Sequence, residues 1–273
     1  MRSDYLSFVS RLSSPSTSLV PRPLTLTAPK TPSATPSAAP APQGTKDWAL
    51  EWMKSIGFAL VVWLLLRTFL FEAFRIPSPS MENTLLVGDF LFVNKAVYGA
   101  EVPLLHWHFP KYRDPARNDL VIFDSVEEEG LKVVKRVIGL AGDTLEMRQH
   151  VIYRNGAALV EPYAHYADFP TPDESDRRLK IKTWQVPFLV GKDTVTYWPD
   201  RDTWGPIVVP HDSMFVMGDN RDESWDGRYW GFLPRINVRG TPLFIYYTYD
   251  PDTYKPLPFV TNIRWGRFFH VPR

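Results

Sequence analysis

The sequence predicts a mainly β fold class, in which a disordered tail and a single transmembrane helix precede an all-β, mostly antiparallel domain. Three observations predict it. Residues 1–46 are rich in proline, serine and alanine, residues 47–74 contain a long apolar run, and residues 75–273 contain short β-rich runs punctuated by turn formers. With 44% hydrophobic residues, the chain can fill a core in one large domain or two smaller ones.

The N-terminal segment, residues 1–46, has the composition of a disordered tail. Eight of the 26 prolines fall here, between serines, threonines and alanines. Such a segment buries too little apolar surface to offset the conformational entropy lost on folding. The segment is also poor in acidic residues, as transit peptides are, but a plain cytoplasmic tail is the favoured interpretation.

Residues 47–74 are predicted to form one membrane-spanning helix. Residues 56–66 are apolar apart from Gly57, and a span needs about 20 mostly apolar residues. Arg67 interrupts the run, so it has to snorkel, pair with Glu72 or lie near the outer interface. The tryptophans that fit aromatic belts are Trp48, Trp52 and Trp63. The alternative is a buried or interfacial amphipathic helix.

Flanking charge predicts the orientation of this helix. Residues 1–54 hold six Lys and Arg against three Asp and Glu. The positive-inside rule therefore places the N-terminus in the cytoplasm and the domain after the helix on the outer side. Arg67 and Arg75, on the other flank, reduce this bias.

Residues 75–273 are predicted to form the all-β domain. Strand-like runs are 90–93, 120–123, 133–138, 151–153 and 214–217, and the Asn155-Gly156 pair favours a hairpin turn. No long helical period follows residue 75. Residues 157–205 are richer in charge and proline, so they are predicted to form a smaller inserted lobe.

Composition narrows the function classes. A net charge of +1 argues against nucleic-acid binding through bulk charge. The chain has no cysteine, which excludes disulfides, thiolate metal sites and cysteine nucleophiles.

Ser80 and Lys135 are the candidate reactive pair. Pro77 and Pro79 hold the chain extended, which leaves Ser80 on an exposed turn directly after the apolar helix. A serine hydroxyl needs a neighbouring base to become a good nucleophile. Lys135 lies among valines and isoleucine, and burial there lowers the pKa of its ammonium toward the working range of a base. Alone, a serine in such a stretch is an ordinary linker residue.

The segment 218–231 is a candidate site loop. It is dense in Gly, Asp, Asn and Arg and follows a strand-like run, which predicts a rigid hydrogen-bonded loop at a sheet edge. A salt-bridged turn or a calcium site would have a similar composition, although its Asp spacing does not fit the EF-hand pattern.

Four ordered blocks together resemble type I signal peptidase, the Ser–Lys leader peptidase. They are residues 77–85, which follow the apolar helix, and residues 118–123, 135–143 and 218–234. One block alone is weak, but four in order are specific. The resemblance covers about residues 60–248.

The resemblance implies roles for individual residues. Ser80 matches the nucleophile and Lys135 the general base. Ser78 matches a hydroxyl that joins the Ser80 backbone N–H in an oxyanion hole, Ser224 a lysine-orienting serine, and Met81 the apolar wall of the substrate site. The residues that match structural supports of the loop are Asp219, Arg221, Asp226 and Arg228. No metal and no other cofactor is implied.

Two positions depart from the family pattern. Asn83 stands where the family usually has proline, so the turn after the nucleophile is expected to be less stiff. Glu223 stands where asparagine is common. A carboxylate facing Lys135 would favour its charged form, so Glu223 is expected to point to solvent.

The implied partners are secretory preproteins bearing signal peptides, the lipid bilayer and the protein translocation channel. The implied location is the bacterial cytoplasmic membrane, as a single-pass protein with its catalytic domain on the periplasmic side.

Two alternative functions stay open. One is a self-cleaving Ser–Lys protease of the repressor type, which would carry a DNA-binding motif in place of the apolar helix. The other is a non-catalytic, membrane-tethered binding module.

Histidines and aromatic residues leave two further alternatives. A histidine-based triad is conceivable, since six histidines are available. They are His106, His108, His150, His165, His211 and His270. An aromatic patch that enters the lipid interface is weighed against ordinary core packing. Its candidate members are Trp107, Phe109, Trp265, Phe268 and Phe269.

Overall fold

The structure, a computed structural model, describes residues 45–69, 71–99, 101–102, 107–108, 111–166 and 175–273. The predicted disordered tail lies outside these residues, except for residues 45 and 46 at the start of the first helix.

Four α-helices and five single-turn 3-10 helices are present in the described part of the chain. The α-helices are α1 (Thr45–Phe69), α2 (Ser175–Gln185), α3 (Gly227–Trp230) and α4 (Pro258–Thr261). The 3-10 helices are Pro79–Met81, Ala96–Tyr98, Val186–Phe188, Arg235–Asn237 and Trp265–Arg267.

Thirteen strands make up most of the remaining regular structure in the described ranges. They are β1 (Phe71–Arg75), β2 (Asp89–Asn94), β3 (Glu101–Val102), β4 (Trp107–His108), β5 (Leu120–Asp124), β6 (Lys132–Leu140), β7 (Thr144–Arg148), β8 (Val151–Arg154), β9 (Ala157–Ala158), β10 (Trp204–Val208), β11 (Ser213–Met217), β12 (Leu233–Pro234) and β13 (Val238–Thr248).

The strands form one large sheet and two small ones. The seven-stranded sheet has the order β1-β2-β13-β5-β6-β11-β12, and the smaller sheets are β10-β7-β8-β9 and β3-β4. Every pair of these strands is antiparallel. The predicted mainly β, mostly antiparallel fold class is therefore confirmed.

Strand β5 shows how the large sheet is buried on both faces. Alternate residues of a strand point to opposite faces. Leu120 and Ile122 accordingly join one apolar cluster, and Val121 and Phe123 join another. The first cluster also contains Met81, so the segment that carries Ser80 rests on the core.

Helix α1 is the described helix that is long and apolar enough to cross a membrane. The 18 residues Trp48–Leu65 meet that criterion, and none of them is buried inside the protein. The helix ends earlier than predicted, because Phe71–Arg75 forms strand β1, paired with β2. The prediction that extended the helix to residue 74 was wrong at this end. A segment of five residues is too short for its pattern of apolar residues to distinguish a helical turn from a strand.

Because α1 ends before Glu72, this residue pairs with lysines of the β domain and not with Arg67 of the helix. Its carboxylate accepts a hydrogen bond of 2.5 Å from Lys132 Nζ and lies 3.4 Å from Lys95 Nζ. The guanidinium of Arg67 instead lies 5.4 Å from the centre of the Trp63 ring. The two lysines lower the pKa of Glu72, against the opposing and largest effect of burial.

The segment 157–205 contains a helix that its sequence did not predict. Helix α2 packs against the site loop, and its Trp184 Nε1 donates a hydrogen bond of 2.8 Å to the Arg228 carbonyl. The boundaries of an inserted lobe remain a prediction.

Candidate active site

The segment that carries Ser80 is built by two prolines. Pro79 opens the 3-10 helix Pro79–Met81, as suits a residue with fixed φ and no N–H. Ser80 is buried there, with 8% of its surface exposed, so the prediction of an exposed turn was wrong. Its carbonyl accepts a hydrogen bond of 3.2 Å from the Asn220 N–H, which ties the segment to the site loop.

Lys135 reaches Ser80 from the middle of strand β6. Its Nζ donates a hydrogen bond of 2.6 Å to Ser80 Oγ, and only 2% of the residue is exposed. Burial lowers the pKa of Lys135 to about 8. The carboxylates of Asp226 and Asp219 oppose this change, and the guanidinium of Arg228 adds to it. The structure thus brings together the two residues that the sequence paired, 55 positions apart.

The two other predicted serines lie on either side of this pair. Ser78 Oγ is 3.3 Å from Ser80 Oγ. Ser224 is buried, and its Oγ makes no hydrogen bond within the described residues. A methyl group on Gly218 would lie 2.2 Å from Ser224 Oγ and 2.4 Å from the Ser80 carbonyl. Ser224 is therefore adjacent to the segment that carries Ser80, and its role in orienting the lysine stays a prediction.

The site loop is braced by a buried ion pair between Asp226 and Arg228. Neither residue is exposed, and the guanidinium contacts the carboxylate at 2.9 and 3.0 Å. The carboxylate also accepts a hydrogen bond of 2.9 Å from the Gly218 N–H and caps helix α3. Because Arg228 neutralises it, the pKa of Asp226 is lowered even though burial is the largest effect and raises it.

The two other predicted loop residues have partners elsewhere in the chain. Asp219 forms two hydrogen bonds, of 2.7 and 2.6 Å, with the buried guanidinium of Arg136. Arg221 forms two with Glu161, at 2.8 and 3.1 Å. Thr84 Oγ1 donates a further bond of 2.5 Å to Asp219.

Three of these supports were not named as site residues from the sequence. Arg136 is adjacent to Lys135 in a quoted block, so its position was a usable signal. Thr84 also lies in a quoted block, but nothing in its type indicated a contact. Glu161 lies 60 residues from Arg221, in a charged segment without a pattern.

A groove of about 490 Å³ opens beside Ser80 and Lys135. Its walls include Ile76, Pro77 and Met81 on one side and residues 131–135 on the other. Met81 is fully buried beneath it. Glu223 also borders the groove but is exposed, as expected for a carboxylate that does not face Lys135.

Strand β6 borders this groove with an open edge. Strand β5 pairs with residues 132–136 on one side, from Asp124 opposite Lys132 to Leu120 opposite Arg136. On the other side β11 begins to pair only at Arg136. In the described structure no strand pairs with that edge along residues 132–135, and an unpaired edge of this kind is a general site for strand addition.

The histidine and aromatic residues that the sequence offered as further site candidates lie away from the groove or outside the described residues. None of the described histidine side chains lines it, and no group of three His, Asp or Glu in that part of the chain is placed to hold a metal ion. The side chains of Trp107 and Phe109 lie outside the described residues. Trp265 and Phe268 stack with ring centres 5.3 Å apart, and Trp265 and Phe269 are 72% and 74% exposed.

Comparisons with known proteins agree on one family. Residues 49–247 match the family model described as signal peptidase, peptidase S26. The chain is 35% identical over 222 residues to signal peptidase I of Pseudomonas aeruginosa, covering 77% of this chain and 76% of that protein. It is 35% identical over 207 residues to signal peptidase I P of Bacillus subtilis subsp. natto, covering 75% and 92%.

A solved structure with the same name is also similar in sequence. It is a crystal structure of a signal peptidase I from Enterococcus faecalis, 30% identical, with a TM-score of 0.32 over 47% of this chain and 97% of that chain. The resemblance seen in the four sequence blocks is confirmed by the family match across most of the chain. The protein belongs to the signal peptidase family, peptidase S26.

Proposed function

We propose that this protein is a membrane-bound serine endopeptidase that removes N-terminal signal peptides from exported preproteins, cutting after small residues. Ser80 is the nucleophile and Lys135 the general base. The observation that carries the proposal is the buried hydrogen bond of 2.6 Å between Lys135 Nζ and Ser80 Oγ. A lysine with a pKa of about 8 is neutral in a useful fraction of molecules near neutral pH.

The reaction proceeds by acyl transfer. Neutral Lys135 accepts the Ser80 proton while Ser80 Oγ attacks the scissile carbonyl. The Ser80 N–H and the Ser78 hydroxyl donate to the oxyanion. The Lys135 ammonium then protonates the leaving amine, and a water activated by the same lysine hydrolyses the acyl-enzyme. These steps use only groups of the chain, water and substrate, so the proposal includes no cofactor.

Ser224 and the loop ion pairs hold this arrangement. Ser224 Oγ is buried without a partner in the described structure, so it is available to the Lys135 ammonium after proton transfer. Asp226 and Arg228 fix the loop behind it. Asp219 ties the loop to Arg136 of strand β6, and Arg221 ties it to Glu161, which follows strand β9.

The substrate is an extended segment paired with the open edge of β6. Main-chain hydrogen bonds give such binding its affinity, and pockets for alternate side chains give it specificity. Met81 and Ile76 form part of the apolar floor, which favours small apolar side chains. Small residues at cleavage sites are the pattern of secretory signal peptides.

The membrane context follows from helix α1 and the flanking charge. We place the N-terminus in the cytoplasm and the catalytic domain on the periplasmic side of a bacterial inner membrane. The protein translocation channel is a further partner, because it delivers the preproteins. The exposed Trp265 and Phe269 suit contact with the lipid interface.

The test is cleavage of a signal-peptide-bearing preprotein by the detergent-solubilised full chain between pH 6 and 10. Wild type is expected to cut after a small residue, with an acidic limb near pH 8. Ser80→Ala and Lys135→Ala are expected to be inactive, and Lys111→Ala, an exposed lysine, fully active. Equal cleavage by all four proteins would refute the dyad. Cleavage confined to the chain itself would favour the self-cleaving alternative, and inert wild type the binding module.

A further inference from the structure

A second cavity lies next to the groove, on helix α2. It has a volume of about 570 Å³. Val126, Glu127 and Trp230 line both the groove and this cavity, so the two share a wall. Leu179 and Lys180 of α2 form part of its other side. The catalytic groove therefore continues toward a helix that the proposed mechanism does not use.

A cluster of three polar contacts marks the boundary between the two cavities. The Glu127 carboxylate accepts a hydrogen bond of 2.5 Å from Trp225 Nε1 and one of 2.6 Å from Lys180 Nζ. The Lys180 ammonium also lies 4.6 Å from the centre of the Trp225 ring. The Trp225 ring stacks on Tyr229 at 4.4 Å, with planes 3° apart. We call Glu127, Lys180 and Trp225 the latch.

The latch lies at the surface. The side chains of Lys180 and Glu127 are 43% and 37% exposed, and an exposed ion pair adds at most about 1 kcal/mol to stability. Rearranging it therefore costs little. Trp225, which lines the groove, and Leu179, which lines the cavity, are 44% and 54% exposed. Large apolar side chains that are exposed beside a peptide groove are typical of a binding surface.

We propose that the cavity on α2 is a further subsite for the polypeptide substrate. It takes an apolar side chain several residues away from the cleaved bond, and the latch forms its entrance. The occupant is a segment of the same preprotein, because the cavity shares a wall with the groove that holds the cleaved bond. This inference rests on the proposed function for the identity of its ligand. It assigns Leu179 a role in substrate binding and none in the chemical steps.

Substrates of two lengths test the subsite. We compare kcat/KM for a full preprotein and for a peptide of about six residues around the cleaved bond. Leu179→Glu puts a charge into the subsite and suits a helix. It is expected to lower kcat/KM about tenfold for the preprotein, mainly through KM, and to leave the short peptide unchanged. Val195→Glu, at a residue that is 82% exposed and lines neither cavity, is the matched control.

Binding measurements separate failure of the subsite from failure of the proposed function. Two proteins are compared, Ser80→Ala alone and Ser80→Ala combined with Leu179→Glu. The second is expected to bind the preprotein with a Kd about tenfold higher than the first. If wild type cuts neither substrate, the proposed function fails, and the Kd values still judge the subsite. An unchanged Kd, or an equal loss of cleavage on both substrates, would overturn the subsite. Leu179→Ala, which adds no charge, is expected to show a smaller change in the same direction.

Discussion

Burial of Lys135 makes a prediction about stability as well as catalysis. The pKa falls from 10.5 to about 8 because the ammonium loses its hydration. A difference of one pKa unit between the folded and unfolded states corresponds to about 1.4 kcal/mol. Burying Lys135 in its charged form therefore lowers the free energy of unfolding by about 3 kcal/mol. Only 2% of the residue is exposed, so solvent screening reduces this figure little. Lys135→Met removes the charge and keeps an unbranched side chain that is one atom shorter.

The sign of the effect depends on pH. Below pH 8 Lys135 is protonated in both the folded and unfolded states, and wild type bears the full cost. Between pH 8 and 10.5 only the unfolded state binds the proton, so the free energy of unfolding of wild type rises with pH. Lys135→Met lacks this rise. It loses the hydrogen bond to Ser80, worth about 1 kcal/mol at every pH.

We therefore expect Lys135→Met to be about 2 kcal/mol more stable than wild type at pH 6. As the pH reaches 10.5, wild type gains about 3 kcal/mol, so the order reverses and Lys135→Met becomes about 1 kcal/mol less stable than wild type. Chemical unfolding of both full chains in detergent, followed by tryptophan fluorescence at matched pH, measures the difference while effects common to both cancel. A difference that stays constant between pH 6 and 10.5 would refute the argument that burial controls this pKa.

Three further substitutions probe the site loop and the turn after Ser80. Gly218→Ala puts a methyl group 2.2 Å from the Ser224 hydroxyl, so the rate of cleavage should fall at least about tenfold. Gly266→Ala, whose methyl group would have nothing within 4 Å, should leave the rate unchanged. Asn83 has a φ of 82°, so Asn83→Pro should cost about 3 kcal/mol in an unfolding titration while Asn83→Gly is tolerated. Arg228→Met leaves a buried carboxylate unpaired near Lys135. The acidic limb of the cleavage rate should then move to higher pH, and Arg228→Lys, which keeps the charge, should move it less.

The sequence paired Ser80 with Lys135 through four ordered blocks, supported by local signals for the turn and the strand that carry them. Two prolines specify the turn that carries Ser80, and a run of β-branched residues specifies the strand that buries Lys135. The fold class followed from equally local patterns of short strands and turns. The fold brings Ser80 and Lys135 within 2.6 Å of each other, a contact that the resemblance over four ordered blocks anticipated without any calculation of the fold.

The supports of the site were harder to predict because their partners are distant. Asp219 pairs with Arg136 across 83 positions and Arg221 with Glu161 across 60. An arginine in a charged sequence has many possible carboxylate partners, and only the folded backbone selects one.

The turn at Asn83 was also not predictable from the sequence. Proline fixes φ near −65°, so this chain, with φ of 82° there, uses a different turn from the stiffened one the family pattern implies.

Helix α2 was missed for a different reason. Amphipathic periodicity reveals a helix only when a full face is buried. In Ser175–Gln185 the buried residues are Ile181 and Gln185, and the rest are partly or fully exposed. Strand β1 was missed because its apolar residues follow the apolar residues of α1 closely, so composition alone does not show where the helix ends.

The buried charges around Lys135 explain why burial, and no single neighbour, decides its pKa. Asp226 favours the charged lysine and Arg228 disfavours it, and the two are held together as one ion pair. Asp219 also favours the charged form, but it is paired with Arg136. Each carboxylate near the lysine thus has its own guanidinium, so their fields largely cancel. Replacing buried ion pairs by apolar residues often costs no stability, whereas here such a replacement would release the loop that holds Ser224 and Gly218 beside Ser80. The pairs keep a rigid polar loop next to Lys135 without supplying the net charge that would keep its ammonium protonated.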